Sequence, residues 1–110
     1  MRLPKNVTIP HDKLLRYLLL PREENDKSKF LASAGYTLAN SEVLERDLHQ
    51  LIQTSEVSDI KTSPYGIKYE IRGILNGPNG RKLRVVTIWI KIATTEDIRF
   101  VTLFPDRTVK

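Results

Sequence analysis

Hydrophobic residues follow two different spacings along the chain, and the change comes after Thr54 and Ser55. Before this point they recur every three or four residues, as on one face of an α-helix. After it they largely alternate with polar residues, as on one face of a β-strand. The pattern predicts an α+β fold in which helices come first and a curled antiparallel sheet follows.

About three helices are predicted in the first half. The first lies between Pro10 and Pro21, and proline cannot continue a helix. The second covers residues 28–34 and ends at a glycine, while the third is capped by Asn40 or Ser41. The first and third helices each carry an apolar stripe at helical spacing, namely Leu14, Leu15, Leu18 and Leu19, then Leu44, Leu48, Leu51 and Ile52.

About four strands are predicted in the second half. The first, at residues 57–62, is weak because Val57 and Ile60 fall on opposite faces unless a bulge intervenes. The others follow at residues 67–75, 83–92 and 98–104, with a hairpin loop at residues 76–80. Strands joined by short loops pair antiparallel, so the sheet is a meander with helices packed on one face.

The third strand is apolar on both faces, although the helices cover only one. Its two apolar sets are Val86, Ile88, Ile90 and Ile92, and Leu83, Val85 and Trp89. Either the sheet curls around a second small core, or the uncovered face meets another protein. A homodimer formed through the sheet is one prediction, and Trp89 is expected in the core.

Composition favours a single globular domain over residues 1–110. The chain has 40% hydrophobic and 28% charged residues and no cysteine, which excludes disulfides and thiolate chemistry and favours the cytoplasm. The longest apolar run near the start is residues 18–20, too short for a signal peptide or for a span of about 20 residues. No contact with a membrane is therefore expected.

The net charge of +5 is concentrated in the predicted sheet. Residues 56–110 carry 10 Lys/Arg against 6 Asp/Glu, whereas residues 1–55 carry 8 against 7. Such an excess favours an acidic partner such as RNA or an acidic protein, although it also serves solubility alone.

The sequence gives little support to metal or cofactor chemistry. His11 and His49 are far apart and belong to no recognisable ligand pattern. Gly77 and Gly80 lie in a predicted hairpin and not between a strand and a helix, where a phosphate would bind. No metal and no cofactor are expected.

Cationic and hydroxyl side chains form the remaining candidate site. They are Lys27 and Lys29 in the second helix, Tyr65 and Lys68 beside a turn, and Arg99 and Thr102 in the last strand. Together these groups could bind phosphates, stabilise a pentavalent phosphorane and orient a ribose hydroxyl, as a metal-independent ribonuclease requires. The alternative is that they are solvated surface residues, with Arg99 protecting a sheet edge.

The order of several short motifs resembles a small uncharacterised bacterial family that is common in cyanobacteria. The motifs are residues 13–19, 27–30, 35–36, 65–69, 77–81, 86–89 and 99–105, with Gly73 and Leu75. In layout this family is similar to cystatin-like folds and to RelE-like and colicin-like ribonuclease toxins. By analogy with the toxins, the catalytic residues would be Lys29, Tyr65, Arg99 and Thr102. The predicted RNA-binding residues are Lys27, Lys68, Arg81 and Arg84. No histidine lies near the last strand to act as a general base.

Two functional hypotheses stay open. The first is a toxin-like ribonuclease or RNA-binding protein, which implies RNA and a small antitoxin-like protein as partners. The second is a noncatalytic module with a cystatin-like fold that dimerises or binds a partner through its apolar sheet face. Whether the protein is an enzyme is not decided by the sequence.

Overall fold

The computed structural model describes residues 2–4, 6–12, 18–19 and 27–107. Within these ranges the helices are α1 (Lys27–Ala32) and α2 (Ser41–Thr54), with a 3-10 turn at Leu38–Asn40 before α2. The prediction of about three helices is not supported, since α2 is the one main helix and α1 has only 6 residues. The first predicted helix, between Pro10 and Pro21, falls largely outside the described residues.

Helix α1 is short because it ends in a glycine-dependent turn. Gly35 adopts a φ of 95°, a left-handed conformation that a residue with a Cβ rarely takes. The Gly35 N–H donates to the Ala32 carbonyl at 2.9 Å, and the Tyr36 N–H donates to the Leu31 carbonyl at 3.2 Å. This pair of bonds is a Schellman motif, so the helix stops where the sequence predicts.

The described part of the sheet is a four-stranded antiparallel meander. Its strands lie in the order β1-β2-β3-β4, so that each pairs with its neighbour in the chain. The strands are β1 (Val57–Ser63), β2 (Gly66–Asn76), β3 (Lys82–Ile92) and β4 (Ile98–Pro105). The prediction of an α+β fold with an antiparallel sheet is therefore confirmed.

Two bulges interrupt the ladder. The pairing of β1 with β2 shifts between Val57 and Asp59, which is the bulge that the spacing of Val57 and Ile60 requires. A second shift, between Ile88 and Trp89 of β3, leaves Val101 of β4 as the extra residue. Bulges of this kind increase the local twist of a sheet.

One face of the sheet packs on α2 and forms the core. The predicted stripe of α2 is fully or almost fully buried, at Leu44, Leu48, Leu51 and Ile52. Trp89 is also fully buried, as predicted, and its ring meets Phe100 in a T-shaped contact with centroids 5.2 Å apart. No helix among the described residues is long and apolar enough to cross a membrane.

The two edges of the sheet differ. Beside β4, Thr8 forms a parallel bridge with Arg99, in which the Thr8 N–H donates to the Ile98 carbonyl at 2.8 Å. The Phe100 N–H donates in turn to the Thr8 carbonyl at 2.9 Å. Within the described ranges, β1 pairs with a strand on one side only, its pairing with β2.

Candidate functional site

The candidate site is the sheet face opposite α2, which we call the open face. Residues that are paired across antiparallel strands point to the same side of a sheet, so the register assigns its members. From β1 to β4 they include Asp59, Lys61, Lys68, Glu70, Arg72, Ile74, Arg84, Val86, Ile88, Ile90, Arg99, Thr102 and Phe104. The structure thus presents a mixed charged and apolar surface, and no described helix covers it.

Three cations lie in one row across the open face, which we call the basic row. Lys61 pairs with Lys68, Lys68 with Ile90, and Ile90 with Arg99. Lys61, Lys68 and Arg99 are exposed, whereas Ile90 is half-buried. Neighbouring strands are about 4.8 Å apart, so the two lysines stand side by side. Like charges directly opposite each other destabilise a sheet, so an anion that contacts both lysines would stabilise this row.

The next row contains the acidic and hydroxyl groups. It runs from Asp59 through Glu70 and Ile88 to Thr102. The Ser58 hydroxyl lies 3.2 Å from Glu70 Oε2 and holds this carboxylate near the hollow between the rows. That hollow has a volume of about 340 Å³, and its lining includes Lys61, Lys68, Glu70 and Thr102.

An ion pair also holds the Glu70 carboxylate. Arg72 Nε lies 3.4 Å from Glu70 Oε2, and Arg72 Nη1 lies 2.9 Å from Asp106 Oδ1. The Asp106 side chain is buried, so the guanidinium is anchored at one end and reaches the carboxylate with the other. These two ion pairs, which join Asp106, Arg72 and Glu70, therefore fix the Glu70 carboxylate next to the basic row.

The structure brings some of the predicted site residues together. Arg99, Thr102 and Lys68 share the open face, and Arg84 lies on the same face toward the β2–β3 hairpin. Tyr65 lies in the β1–β2 turn, three residues before Lys68, and is 80% exposed.

Other predicted residues lie apart from this group. Lys29 is exposed on α1, where it borders a different hollow together with Ala32 and Tyr36. The end of α1 packs near the β2–β3 hairpin, and β2 has 11 residues, so Lys29 and Tyr65 lie toward opposite ends of a strand about 35 Å long. Arg81 lies in the hairpin loop. Lys27 begins α1, and its side chain is outside the described part of the chain.

Sequence reasoning missed Lys61, Asp59 and Glu70. These residues become neighbours only through the pairing of β1 with β2, and β1 has the weakest strand pattern in the chain. The sequence feature that could have found them is the break in the alternation of apolar and polar residues at Val57 and Ile60. A bulge placed there assigns Asp59 and Lys61 to the same face as Glu70 and Lys68.

These features define an α+β protein with a four-stranded meander, helices on one face and a basic open face. Within this class, the chain belongs to the family described as "Domain of unknown function (DUF6883)", whose profile matches residues 2–107. This agrees with the predicted resemblance to an uncharacterised family. A comparison with curated proteins gives no match.

A solved structure has a similar fold. The chain is similar to one chain of a contact-dependent growth inhibition toxin–immunity protein complex from Klebsiella pneumoniae 342, with a TM-score of 0.70 and 16% sequence identity. The similarity covers 89% of this chain and 98% of that chain. At this identity the comparison establishes a shared fold.

Proposed function

We propose that the open face binds single-stranded RNA and cleaves it without a metal ion, as a toxin-like ribonuclease does. The observation that carries the proposal is the basic row. Its adjacent lysines, Lys61 and Lys68, repel each other, and a phosphate between them would remove the repulsion. Arg99 stands two strands away from Lys68, so a second backbone contact is within reach of the same RNA segment.

The rest of the face suits RNA that is not base-paired. Unpaired bases can lie on apolar or aromatic surfaces while cations hold the backbone. Ile88 and Ile90 supply an apolar floor between the charged positions, and the exposed Tyr65 ring in the β1–β2 turn supplies a stacking surface. We therefore assign backbone binding to the cations and base contacts to Tyr65.

The cleavage step needs a base, a stabiliser of negative charge and a proton for the leaving group. We assign Glu70 as the base that removes the ribose 2′-OH proton, because it is the carboxylate fixed beside the basic row. The 2′-oxygen then bonds to phosphorus, the 5′-oxygen leaves with a proton from solvent, and a 2′,3′-cyclic phosphate remains. Lys61 and Lys68 stabilise the pentavalent phosphorane, Arg99 holds a neighbouring phosphate of the same RNA segment, and Thr102 orients the ribose.

The fold comparison supports a role in a toxin–immunity pair, and the basic open face is our reason for assigning this chain the part of the toxin. The similar chain belongs to a growth-inhibition toxin–immunity complex. If this chain has a corresponding role, a small antitoxin-like protein would cover the open face and so block RNA. Ile74 and Phe104, which are 45% and 39% exposed on that face, give such a partner apolar contacts.

The test compares matched variants in RNA binding and cleavage. We expect Lys68→Ala and Arg99→Ala each to weaken binding of a short single-stranded RNA and to lower the slope of log K against log salt by about 0.7. Arg46→Ala removes the same charge from the exposed surface of α2 and should leave binding unchanged. Glu70→Gln should retain binding and lose at least about 100-fold in cleavage rate.

Three results would count against the proposal. Binding that is equally weakened by Arg46→Ala would indicate attraction by net charge alone. Cleavage that survives Glu70→Gln would remove the assigned base. If Lys29→Ala lost RNA cleavage while Lys68→Ala and Arg99→Ala kept it, the active site would lie in the hollow beside α1 and not on the open face.

A further inference from the structure

The outer edge of β1 is a second surface with unusual properties. Six of its seven residues are exposed, and in the described part of the chain β1 pairs with a strand only on its inner side, with β2. An edge strand offers unpaired N–H and C=O groups to any strand that can approach it.

The backbone of Ile60 faces this edge. Its N–H donates to Oδ1 of the preceding residue, Asp59, at 3.0 Å. Because this bond is made within β1, the N–H is not directed at β2, and in an antiparallel strand the C=O of the same residue points the same way. The Ile60 side chain lies on the face that packs against α2, in register with Tyr69, yet it is 49% exposed.

The sequence around Ile60 is complementary to itself. If two β1 strands pair antiparallel about Ile60, Asp59 of each copy lies opposite Lys61 of the other. These two pairs of opposite charges are on the open face, and the two Ile60 side chains meet on the other face. Opposite charges and apolar groups that face each other across strands both stabilise a sheet. A two-fold axis through one residue pair is the geometry of an isologous dimer.

We propose that two copies of this chain associate through β1, with Ile60 at the two-fold axis. The Ile60 N–H of each copy donates to the Ile60 carbonyl of the other. The Asp59 carboxylate, released from that N–H, pairs with Lys61 of the second copy. The result is one continuous sheet with both open faces on the same side.

The expected dimer is weak. The bulge at Ser58 limits the paired length, and two strands of 7 residues bury less than the about 1,200 Å² at which stable assemblies begin. A dissociation constant of about 10–100 μM is therefore expected. The protein would be mostly monomeric when dilute and would pair where its local concentration is high.

Charge reversal tests this pairing directly, with the mass of the full chain measured by sedimentation equilibrium. Asp59→Lys and Lys61→Asp each place like charges opposite each other, so each should weaken dimerisation at least about tenfold. The double variant Asp59→Lys/Lys61→Asp restores both pairs and the net charge, so it should dimerise like the wild type. Arg84→Asp makes the same charge change at an exposed position of β3, away from the β1 edge, and should still dimerise.

Clear results would overturn the proposal. A wild-type mass that stays monomeric up to about 500 μM would exclude the dimer in the expected range. A folded double variant that fails to regain dimerisation would exclude this register. Single variants that dimerise like the wild type would exclude it as well. The measured mass does not depend on RNA, so failure here leaves the RNA proposal standing.

Discussion

At the scale of single residues, the Tyr36 hydroxyl links three parts of the fold. It donates to Asp47 Oδ2 on α2 at 2.6 Å, and its oxygen lies 3.2 Å from the carbonyl of Asn76 at the end of β2. The side chain is almost fully buried. Burial first, and then the hydrogen bond to Asp47, raise the pKa of the Tyr36 phenol far above its ordinary value. The folded protein therefore keeps this proton to high pH.

Removing that hydroxyl should destabilise the protein. Tyr36→Phe leaves the Asp47 carboxylate without its closest donor, so we expect a loss of about 1–3 kcal/mol in the free energy of unfolding, measured with urea. Tyr65→Phe is the matched control, because Tyr65 is 80% exposed, and its stability should match the wild type. Equal urea midpoints of unfolding for Tyr36→Phe and Tyr65→Phe would contradict the stabilising role of the Tyr36 hydroxyl.

The same residue makes alkaline stability depend on pH. In the unfolded chain Tyr36 ionises near its reference pKa of about 10, while the folded protein holds the proton. The contribution of protonated Tyr36 to the free energy of unfolding is therefore fully present below about pH 10. It is lost as the pH rises above this value. The wild type should lose more stability between pH of about 9 and 11 than Tyr36→Phe does, and parallel curves would contradict this.

At the scale of elements, the β2–β3 hairpin loop is a packing element as well as a turn. The Asn79 N–H donates to the Ala34 carbonyl at 3.2 Å, and Asn79 Nδ2 donates to the Ser33 carbonyl at 3.1 Å. A Cβ on Gly77 would collide with the backbone and side chain of Ala34. The loop and the end of α1 therefore fit together only if residue 77 has no side chain.

Two glycines of this loop give a matched test. Gly77→Ala should cost more than about 2 kcal/mol of unfolding free energy, because backbone must move to admit the methyl group. Gly80 has a φ of 89° but open space around it, so Gly80→Ala should cost only about 1 kcal/mol. Urea unfolding compares the two variants, and an equal or larger cost for Gly80→Ala would contradict the docking of this loop.

At the scale of the whole molecule, local patterns predicted the elements better than they predicted the site. The stripe of α2, the end of α1 at Gly35, the meander and the burial of Trp89 all follow from spacing and turn chemistry within a few residues. The predicted number of helices is not supported, because α1 has only 6 residues and the first predicted helix falls largely outside the described residues.

The site depends on register, which no single segment of the sequence encodes. Lys61, Lys68 and Arg99 belong to three different strands, and two bulges decide which of their neighbours share a face. A shift of one residue in either pairing would move these side chains to the core side. The analogy with ribonuclease toxins placed Lys29 and Arg99 in one site without using this register. In the structure Lys29 lies on α1 and Arg99 on the open face.

The most direct test of the open face as the RNA site is a titration of the full chain with a short single-stranded RNA, followed by the NMR shifts of its backbone amides. We predict the largest shifts at Lys61, Lys68, Arg99 and Thr102, with small shifts along α2. Largest shifts at α1 around Lys29, or no shifts at an RNA concentration of about 1 mM, would contradict the account.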